Sequence, residues 1–206
     1  MSEHGLPEGF FKREDESDDA RFYALPRFTK HIDDATIAAL TAWYRDTLKP
    51  SWRILDLMSS WISHLPNEIR YRHVSGHGMN EDELARNERL DDYWVQDLNR
   101  EPHLPCNDAA YDAVLITVSI QYLIRPFEVF EEIGRVLAPD GLCIVAMSHR
   151  LFPEKAIQAF KVLPPVERIH MVASYMEKSG HFGDIELVDR SPRNADPLWI
   201  VQGKRI

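Results

Sequence analysis

Apolar and polar residues form alternating blocks along most of the chain, and each block has the length of one strand or one helix. From Arg53 onward, short apolar runs typical of strands are separated by longer runs with helical spacing. The clearest strand is "YDAVLITVSI" at 111–120, a nearly continuous apolar run with β-branched residues, as in strands buried on both faces. The amphipathic run "PFEVFEEIGRVL" at 126–137 predicts a helix, and "LCIVAMS" at 142–148 predicts another buried strand.

The other blocks continue this alternation. Strands are predicted in "RILDL", "EIRYRHVSGHG" and "DYWVQDL", helices in "NEDELARNERL" and "PPVERIHMVASYMEKSG", a turn in "APDG", and two last strands in "DIELVDRS" and "DPLWIVQGKR". The two last strands are joined by a loop, which favours an antiparallel pair. Strands that alternate with helices predict an α/β fold, with a doubly wound, mostly parallel sheet and an antiparallel edge.

Residues 1–51 differ from the rest of the chain. They open with an acidic, polar stretch and continue as "RFYALPRFTKHIDDATIAALTAWYRDTL". Asp33 or Asp34 is a suitable N-cap for a helix, and Pro50 ends it. We therefore divide the chain into an N-terminal lid or helical segment at 1–51 and a main domain at 52–206.

Three side chains that could contact a ligand, a tyrosine, an arginine and a histidine, follow one another in this N-terminal segment at intervals of four residues. On a helix, Tyr23, Arg27 and His31 would share one face, but Pro26 interrupts that face and makes an irregular lid an equal alternative. A lid would exclude water and orient a substrate. An aromatic packing segment with solvated charges explains the same residues equally well.

Charge and composition narrow the class of protein. The 206 residues favour one domain, and a net charge of −9 argues against nucleic acid as a partner, which needs clustered basic residues. Cys106 and Cys143 lie in no paired spacing and are expected to be free thiols. The start "MSEHGLPEGFFKREDESDD" has no apolar core of a signal peptide, and no run is long enough to span a membrane. We expect a cytoplasmic protein; its oligomeric state is not readable.

The turn after the first strand, "LDLMSSW" at 55–61, lies where ligands bind in open α/β sheets, beyond the carboxyl ends of the strands. A dinucleotide site would need glycines in this turn and an acidic residue ending the second strand. Neither is present, so a nicotinamide-dependent oxidoreductase is disfavoured.

The order of motifs resembles that of class I S-adenosylmethionine-dependent methyltransferases. The similar segments are "RILDLMSSW", "VSGHGMNEDEL", "WVQDLN", "YDAVLITVSIQYL" and "EEIGRVLAPDGLCIVAMS". The resemblance implies a Rossmann-like, seven-stranded sheet with an antiparallel last strand. It also implies S-adenosylmethionine as cofactor, S-adenosylhomocysteine as product, and methyl transfer to an acceptor that the sequence does not name. The aromatic residues of the N-terminal segment favour a small, partly apolar molecule as this acceptor. The alternative is a non-catalytic module that binds the cofactor or a protein partner.

The chain departs from this family at two places. The three glycine positions of the first loop are held by Met58, Ser60 and Ile62, and the loop looks like a glycine-poor variant found in the family. The acidic position that ends the second strand is held by Gly78, so Asn80 or Glu81 would have to reach the ribose.

The resemblance assigns cofactor-binding residues to four places in the sequence. They are Asp56, Met58, Ser59 and Ser60; Gly78, Met79 and Asn80; Asp97 and Leu98; and Thr117 and Val118. The Ser59 and Ser60 hydroxyls would donate to the cofactor carboxylate near a helix N-terminus, and Asp97 would accept from the adenine amino group. Asp56 would accept from the cofactor's amino group or from the loop. The alternatives are a helix cap for Asp56, an Asx-turn for Asp97 and plain core packing for Met79.

Two residues are candidates for orienting or deprotonating the acceptor, His31 from the N-terminal segment and Tyr122 after the fourth strand. The nine histidines form no metal-binding pattern, and we expect His73 and His77 to lie at the surface. His64 follows the first loop and either points toward the site or ends a helix.

Overall fold

The computed structural model describes residues 6–7 and 9–206, so residues 1–5 and 8 of the predicted N-terminal segment lie outside it. The strands are β1 Arg53–Leu57, β2 His73–Gly78, β3 Asp92–Val95, β4 Tyr111–Thr117, β5 Leu137–Met147, β6 Phe182–Asp189 and β7 Trp199–Arg205. The helices are α1 Asp19–Phe22, α2 Asp34–Thr47, α3 Glu81–Ala85, α4 Pro126–Val136, α5 Gln158–Val162 and α6 Pro165–Ser179, with a 3-10 turn at Ile120–Tyr122.

The strands form one seven-stranded sheet in the order β3-β2-β1-β4-β5-β7-β6. Strands β1 to β5 pair in parallel, and β7 pairs antiparallel with both β5 and β6. The predicted sheet, with its antiparallel edge, is confirmed. The chain turns back in strand order between β1 and β4, which makes the carboxyl ends of these two strands the switch point of the sheet.

Apolar side chains cover both faces of the sheet. On one face, α4 and α6 contribute Phe130 and Tyr175 to a cluster with buried residues of the central strands. On the other face, α2 contributes Leu40 and Tyr44 to a second cluster. Helix α6 ends as predicted at Gly180, whose φ of 72° is the left-handed value that glycine adopts without strain.

Two connections differ from the prediction, and the short helices α1 and α5 lie where none was predicted. Residues 58–72 join β1 to β2 without a regular helix, although a parallel crossover usually contains one. The predicted turn at 138–141 lies inside β5, which pairs with β4 through Tyr111 and Leu137 and resumes regular pairing at Ala113 after a register shift. The turn residues are therefore accommodated as an irregularity in the strand.

The N-terminal segment takes the irregular alternative. After the short α1, residues 23–33 contain no helix, and α2 begins after Asp33, whose carboxylate accepts the Thr36 N–H at 2.9 Å. The spacing of four between Tyr23, Arg27 and His31 therefore does not reflect a helical face.

Within residues 6–7 and 9–206, no helix is long and apolar enough to cross a membrane. The same residues contain no cluster of side chains suited to hold a metal ion. Cys106 and Cys143 are free thiols, as expected.

Candidate functional site

A cavity of about 1040 Å³, its open mouth included, lies at the carboxyl ends of β1 to β4. The sheet reverses its strand order here, and the volume is ample for a small ligand. The structure brings together in its wall all the residues predicted for the cofactor and for catalysis. They are His31, Asp56, Met58, Ser59, Ser60, Gly78, Met79, Asn80, Asp97, Leu98, Thr117, Val118 and Tyr122.

The loop after β1 is held against the end of β2 by two backbone donors. The Met58 N–H donates to His77 Nδ1 at 3.1 Å, and the Ser59 N–H donates to the His77 carbonyl at 2.6 Å. Met58 has a φ of 58°, a left-handed conformation that favours glycine. Its side chain packs against the hydrophobic core. The loop therefore keeps a glycine-like backbone conformation with a methionine.

His77 is buried, and the prediction that it lies at the surface is wrong. Its Nε2 donates to the Gln96 carbonyl at 3.0 Å while Nδ1 accepts from Met58, so the ring is neutral. Burial lowers the pKa of His77 to about 4. His73, by contrast, is partly exposed, and its Nε2 lies 2.8 Å from Asp92.

Gly78 has no room for a side chain. A Cβ at this position would lie 2.6 Å from the Ser59 carbonyl oxygen, well inside van der Waals contact. Because the loop lies directly over the end of β2, the acidic residue that the family carries here is sterically excluded. The two departures from the family are therefore connected, because the glycine-free loop takes the space that an acidic side chain at residue 78 would need.

The hydroxyls of the two loop serines donate to protein carboxylates, and their role toward a cofactor carboxylate stays a prediction. Ser59 Oγ donates to Asp56 Oδ2 at 2.7 Å, and Ser60 Oγ donates to Glu83 Oε2 at 2.6 Å. No helix follows the loop, so the predicted helix N-terminus and the capping alternative for Asp56 are both absent from residues 58–72. Burial raises the pKa of the Asp56 carboxyl to about 6.

Glu83 on α3 joins three parts of the site and was missed in the sequence. Besides Ser60, it accepts the Arg27 N–H at 2.6 Å, so it ties the N-terminal segment to the loop. Asn80 caps α3 and donates to the Tyr23 carbonyl at 2.8 Å, so its amide is already engaged. Glu81 is exposed and lies outside the cavity wall.

Asp97 forms the Asx-turn, and its predicted contact with the adenine amino group stays a prediction. One carboxylate oxygen accepts the Asn99 N–H at 2.9 Å, which is the Asx-turn, while the residue also lines the cavity. Burial raises its pKa. The Asn99 amide in turn donates to Asp19 Oδ2 at 2.9 Å and to the Tyr122 carbonyl at 3.0 Å, which joins this corner to the N-terminal segment.

The end of β4 is strained and polar. Thr117 Oγ1 lies 2.9 Å from the Tyr44 hydroxyl, and Val118 has a φ of 52°, which is rare for a β-branched residue. The Ser119 hydroxyl lines the cavity and is buried without a hydrogen-bond partner among the described residues. Backbone strain and an unpaired buried donor are both features found at ligand-binding sites.

His31 and Tyr122 lie on the side of the cavity that the N-terminal segment covers. The Tyr122 hydroxyl accepts the Phe152 N–H at 2.9 Å, and burial raises its pKa to about 12. The His31 ring stands edge-on to the Phe152 ring, and burial lowers its pKa. His64 lines the same cavity, and burial lowers its pKa to about 4. At neutral pH the tyrosine is therefore protonated and the two histidines are neutral.

The charges of the wall suit a cationic ligand. Among the described residues that line the cavity, the carboxylates are Asp19, Asp56, Glu83 and Asp97. Arg27 is the one lysine or arginine among them. S-adenosylmethionine carries two positive groups and one carboxylate, so the donors, the acceptors and the unpaired Ser119 hydroxyl fit it.

The comparisons with known proteins agree with this architecture. Residues 72–145 match the family model described as "Methyltransferase domain". An S-adenosylmethionine-dependent methyltransferase from Mesorhizobium loti has a similar structure, with a TM-score of 0.60 and 18% identity over 82% of this chain and 98% of that chain. Phosphoethanolamine N-methyltransferase 2 of Haemonchus contortus gives a TM-score of 0.57 and 16% identity over 84% of this chain and 52% of that chain.

The fold also occurs in a protein whose name states another reaction. The [4+2]-cyclase SpnF gives a TM-score of 0.60 and 15% identity over 81% of this chain and 80% of that chain. No curated protein matches the chain.

The sheet order, the antiparallel last strands and the cavity define a class I S-adenosylmethionine-dependent methyltransferase fold. Residues 72–145 match the family model of a methyltransferase domain, and the resemblance predicted from the sequence is confirmed in this segment and in the fold. S-adenosylmethionine, converted to S-adenosylhomocysteine, is the cofactor of the class. The matched segment begins after the loop at 58–60, so the glycine-free part of the site lies outside it.

Proposed function

We propose that this protein transfers the methyl group of S-adenosylmethionine to a small-molecule acceptor. The observation that carries the proposal is the convergence of all the predicted cofactor residues, from four separate segments, on one cavity that His31 and Tyr122 also line. Cavity size and negative lining both suit this cofactor.

The cofactor contacts follow from the polar groups in the wall. Asp97 would accept from the adenine amino group, and Asp56 from the cofactor's ammonium group. Glu83 would take the ribose role, because Gly78 has no side chain and the Asn80 amide already donates to Tyr23 and Ala24. The Glu83 oxygens accept from Arg27 and Ser60, but each carboxylate oxygen can accept a second hydrogen bond. Arg27 would bind the carboxylate.

The protein's contribution to the reaction is alignment and proton removal. Bound S-adenosylmethionine supplies an electrophilic methyl group, and transfer to a protonated acceptor leaves neutral S-adenosylhomocysteine and releases one proton. Positioning of the acceptor can supply about 7–11 kcal/mol of the barrier. His31, neutral at pH 7, would take the proton, and Tyr122, which stays protonated, would orient the acceptor by donating a hydrogen bond.

We further infer that the N-terminal segment, 1–51, acts as an anchored cover of the site, beside the main domain at 52–206. Lys155 is fully buried, and its Nζ lies 2.9 Å from Asp15 Oδ2 and 3.1 Å from Asp19 Oδ1. Arg13 pairs with the same Asp19 at 2.7 Å. The two ion pairs of Lys155 fasten the cover to the chain after β5, and the Arg13 pair holds Asp19 in place within the cover.

The first test is calorimetric titration of the purified protein with S-adenosylmethionine and with S-adenosylhomocysteine. The protein is first checked by mass spectrometry for co-purified cofactor. Micromolar binding of both ligands, followed by transfer of a labelled methyl group to a member of an acceptor panel, is the expected result. If demonstrably empty protein binds neither ligand, the proposal is wrong. Binding without transfer to any acceptor would favour the non-catalytic alternative.

A further inference from the structure

A second cavity, of about 480 Å³ with its open mouth included, adjoins the first. Its wall is formed by 29–31 of the N-terminal segment, by 150–152 after β5, and by Val118 and Tyr122. The two cavities share four lining side chains, namely His31, Val118, Tyr122 and Phe152. These four side chains mark the junction where a molecule in one cavity would meet a molecule in the other.

Charge is distributed unequally between the two cavities. The first has several carboxylates, whereas the described residues that line the second include Lys30 and Arg150 and no acidic side chain. Arg150 contacts Asp196 through Nε at 2.6 Å, so the donors on its terminal nitrogens remain outside that contact. Lys30 is half-exposed and pairs with the exposed Asp34. Both cations therefore retain donors for a ligand.

The junction itself is aromatic and apolar. The rings of Tyr122 and Phe152 are stacked with centroids 5.8 Å apart, and the His31 ring stands edge-on to Phe152 at 5.7 Å. Val118 completes this wall. A ligand that spans the second cavity thus meets aromatic rings and Val118 at the junction and the remaining donors of the two paired cations, Lys30 and Arg150, at its other end.

Building on the proposed function, we propose that the second cavity receives the methyl acceptor and that this acceptor is a small anion. Lys30 and Arg150 bind its carboxylate or phosphate group, and its apolar body carries the nucleophile to the junction. Arg is suited to this task because its planar fork matches both anionic groups.

The test uses pairs of small molecules in which one member carries an anionic group and the other does not. Each pair consists of an acid and a neutral analogue, 4-hydroxybenzoate with 4-hydroxybenzamide and phenyl phosphate with phenol, and binding is measured by ligand-observed NMR with S-adenosylhomocysteine present. The acid of at least one pair is expected to bind about tenfold more tightly than its neutral partner. Tighter binding of 4-hydroxybenzoate would indicate a carboxylate acceptor, and tighter binding of phenyl phosphate would indicate a phosphate acceptor.

Variants link the preference to the two cations. The double variant Lys30→Gln/Arg150→Gln should abolish the preference for the acid without changing the affinity for S-adenosylhomocysteine. The single variant Lys30→Gln, at an exposed position, should reduce this preference. The control, Lys49→Gln with Arg193→Gln, removes equal charge outside the cavity and should preserve it. The inference about the acceptor would be wrong if no acid binds more tightly than its neutral partner, or if the preference for the acid survives in both the single and the double variant. Either result would leave the proposed function standing. Failure of S-adenosylhomocysteine to bind would overturn the proposed function as well.

Discussion

The carbonyl oxygen of Ser59 occupies the space where a side chain on Gly78 would begin, 2.6 Å from the Cβ position. The loop reaches this place because its backbone donates to the carbonyl and the imidazole of His77. In the resembled family, glycines in the loop allow close approach of backbone and ligand. Here the glycine is Gly78 in the neighbouring strand β2, and it allows the backbone of the loop after β1 to lie close to that strand.

Gly78→Asp restores the acidic residue that the family usually carries, yet we expect it to weaken binding of S-adenosylmethionine. The new side chain must push the Ser59 backbone away, and overpacking of this kind costs about 1–3 kcal/mol. Calorimetric titration should show a loss of about tenfold or more in affinity. Gly183→Asp is the control, because its Cβ would meet a methyl group of the exposed Ile206 and no backbone atom. Tighter binding of S-adenosylmethionine by the Gly78 variant would contradict this expectation and show that the loop can move to accommodate the new side chain.

His77 should make the protein less stable in acid. Its pKa is lowered to about 4 in the folded protein, whereas an unfolded histidine titrates near 6.5. The stabilisation is therefore complete above pH 6.5 and is lost as the pH falls from 6.5 to about 4, by about 2–3 kcal/mol at pH 4.5.

His77→Gln tests this dependence, since glutamine can accept from Met58 and donate to Gln96 but does not titrate. Urea unfolding at pH 4.5 and pH 7.5 should show a smaller difference in unfolding free energy for the variant than for the wild type. His170→Gln removes an exposed imidazole on α6 and controls for the substitution. An unchanged difference in the His77 variant would contradict the neutral, buried imidazole.

Arg27→Gln should weaken binding of S-adenosylhomocysteine about tenfold to a hundredfold, because a charge-assisted hydrogen bond to the carboxylate is lost. Binding of 5′-methylthioadenosine, which lacks the carboxylate, should change little. Arg86→Gln is the matched control, because Arg27 stacks on Phe22 and Arg86 likewise on Phe28, but Arg86 lies outside the cavity wall. Equal losses of affinity for both ligands would show that Arg27 stabilises the N-terminal cover and does not bind the cofactor carboxylate.

His31 and Tyr122 should differ in the pH dependence of turnover. His31 becomes a base as the pH rises through its lowered pKa, so the acid limb of kcat/KM should lie below pH 6.5. His31→Gln should remove this limb and cost about 10²–10⁴-fold in rate. Tyr122→Phe should lower the rate without moving the limb, since the tyrosine pKa is about 12. A limb that persists in the His31 variant would exclude His31 as the base.

The sequence predicts the sheet and most of the site's positions because these depend on local pattern. Apolar runs locate β4 and β5, and the ends of the strands locate Asp97 and Thr117. The hydrogen bonds of the site depend on contacts between distant segments. Nothing local predicts that residue 77 is buried under the loop, or that Glu83 receives both the Ser60 hydroxyl and the Arg27 N–H.

The buried ion pairs of Lys155 should control both stability and cofactor binding. Lys155→Met leaves Asp19 buried without one of its cationic partners, and breaking such a pair costs about 3–5 kcal/mol. Lys204→Met is the control, since this lysine is partly exposed and pairs with the exposed Asp140, and its loss should change stability little.

Urea unfolding measures the stability, and hydrogen exchange locates the change. In the Lys155 variant, exchange should rise first in residues 9–31, and the affinity for S-adenosylmethionine should fall, because Asp19 and Tyr23 belong to the cavity wall. Faster exchange with unchanged affinity would show that the N-terminal segment covers the site without contributing to cofactor binding. Unchanged exchange would show that these ion pairs do not anchor it.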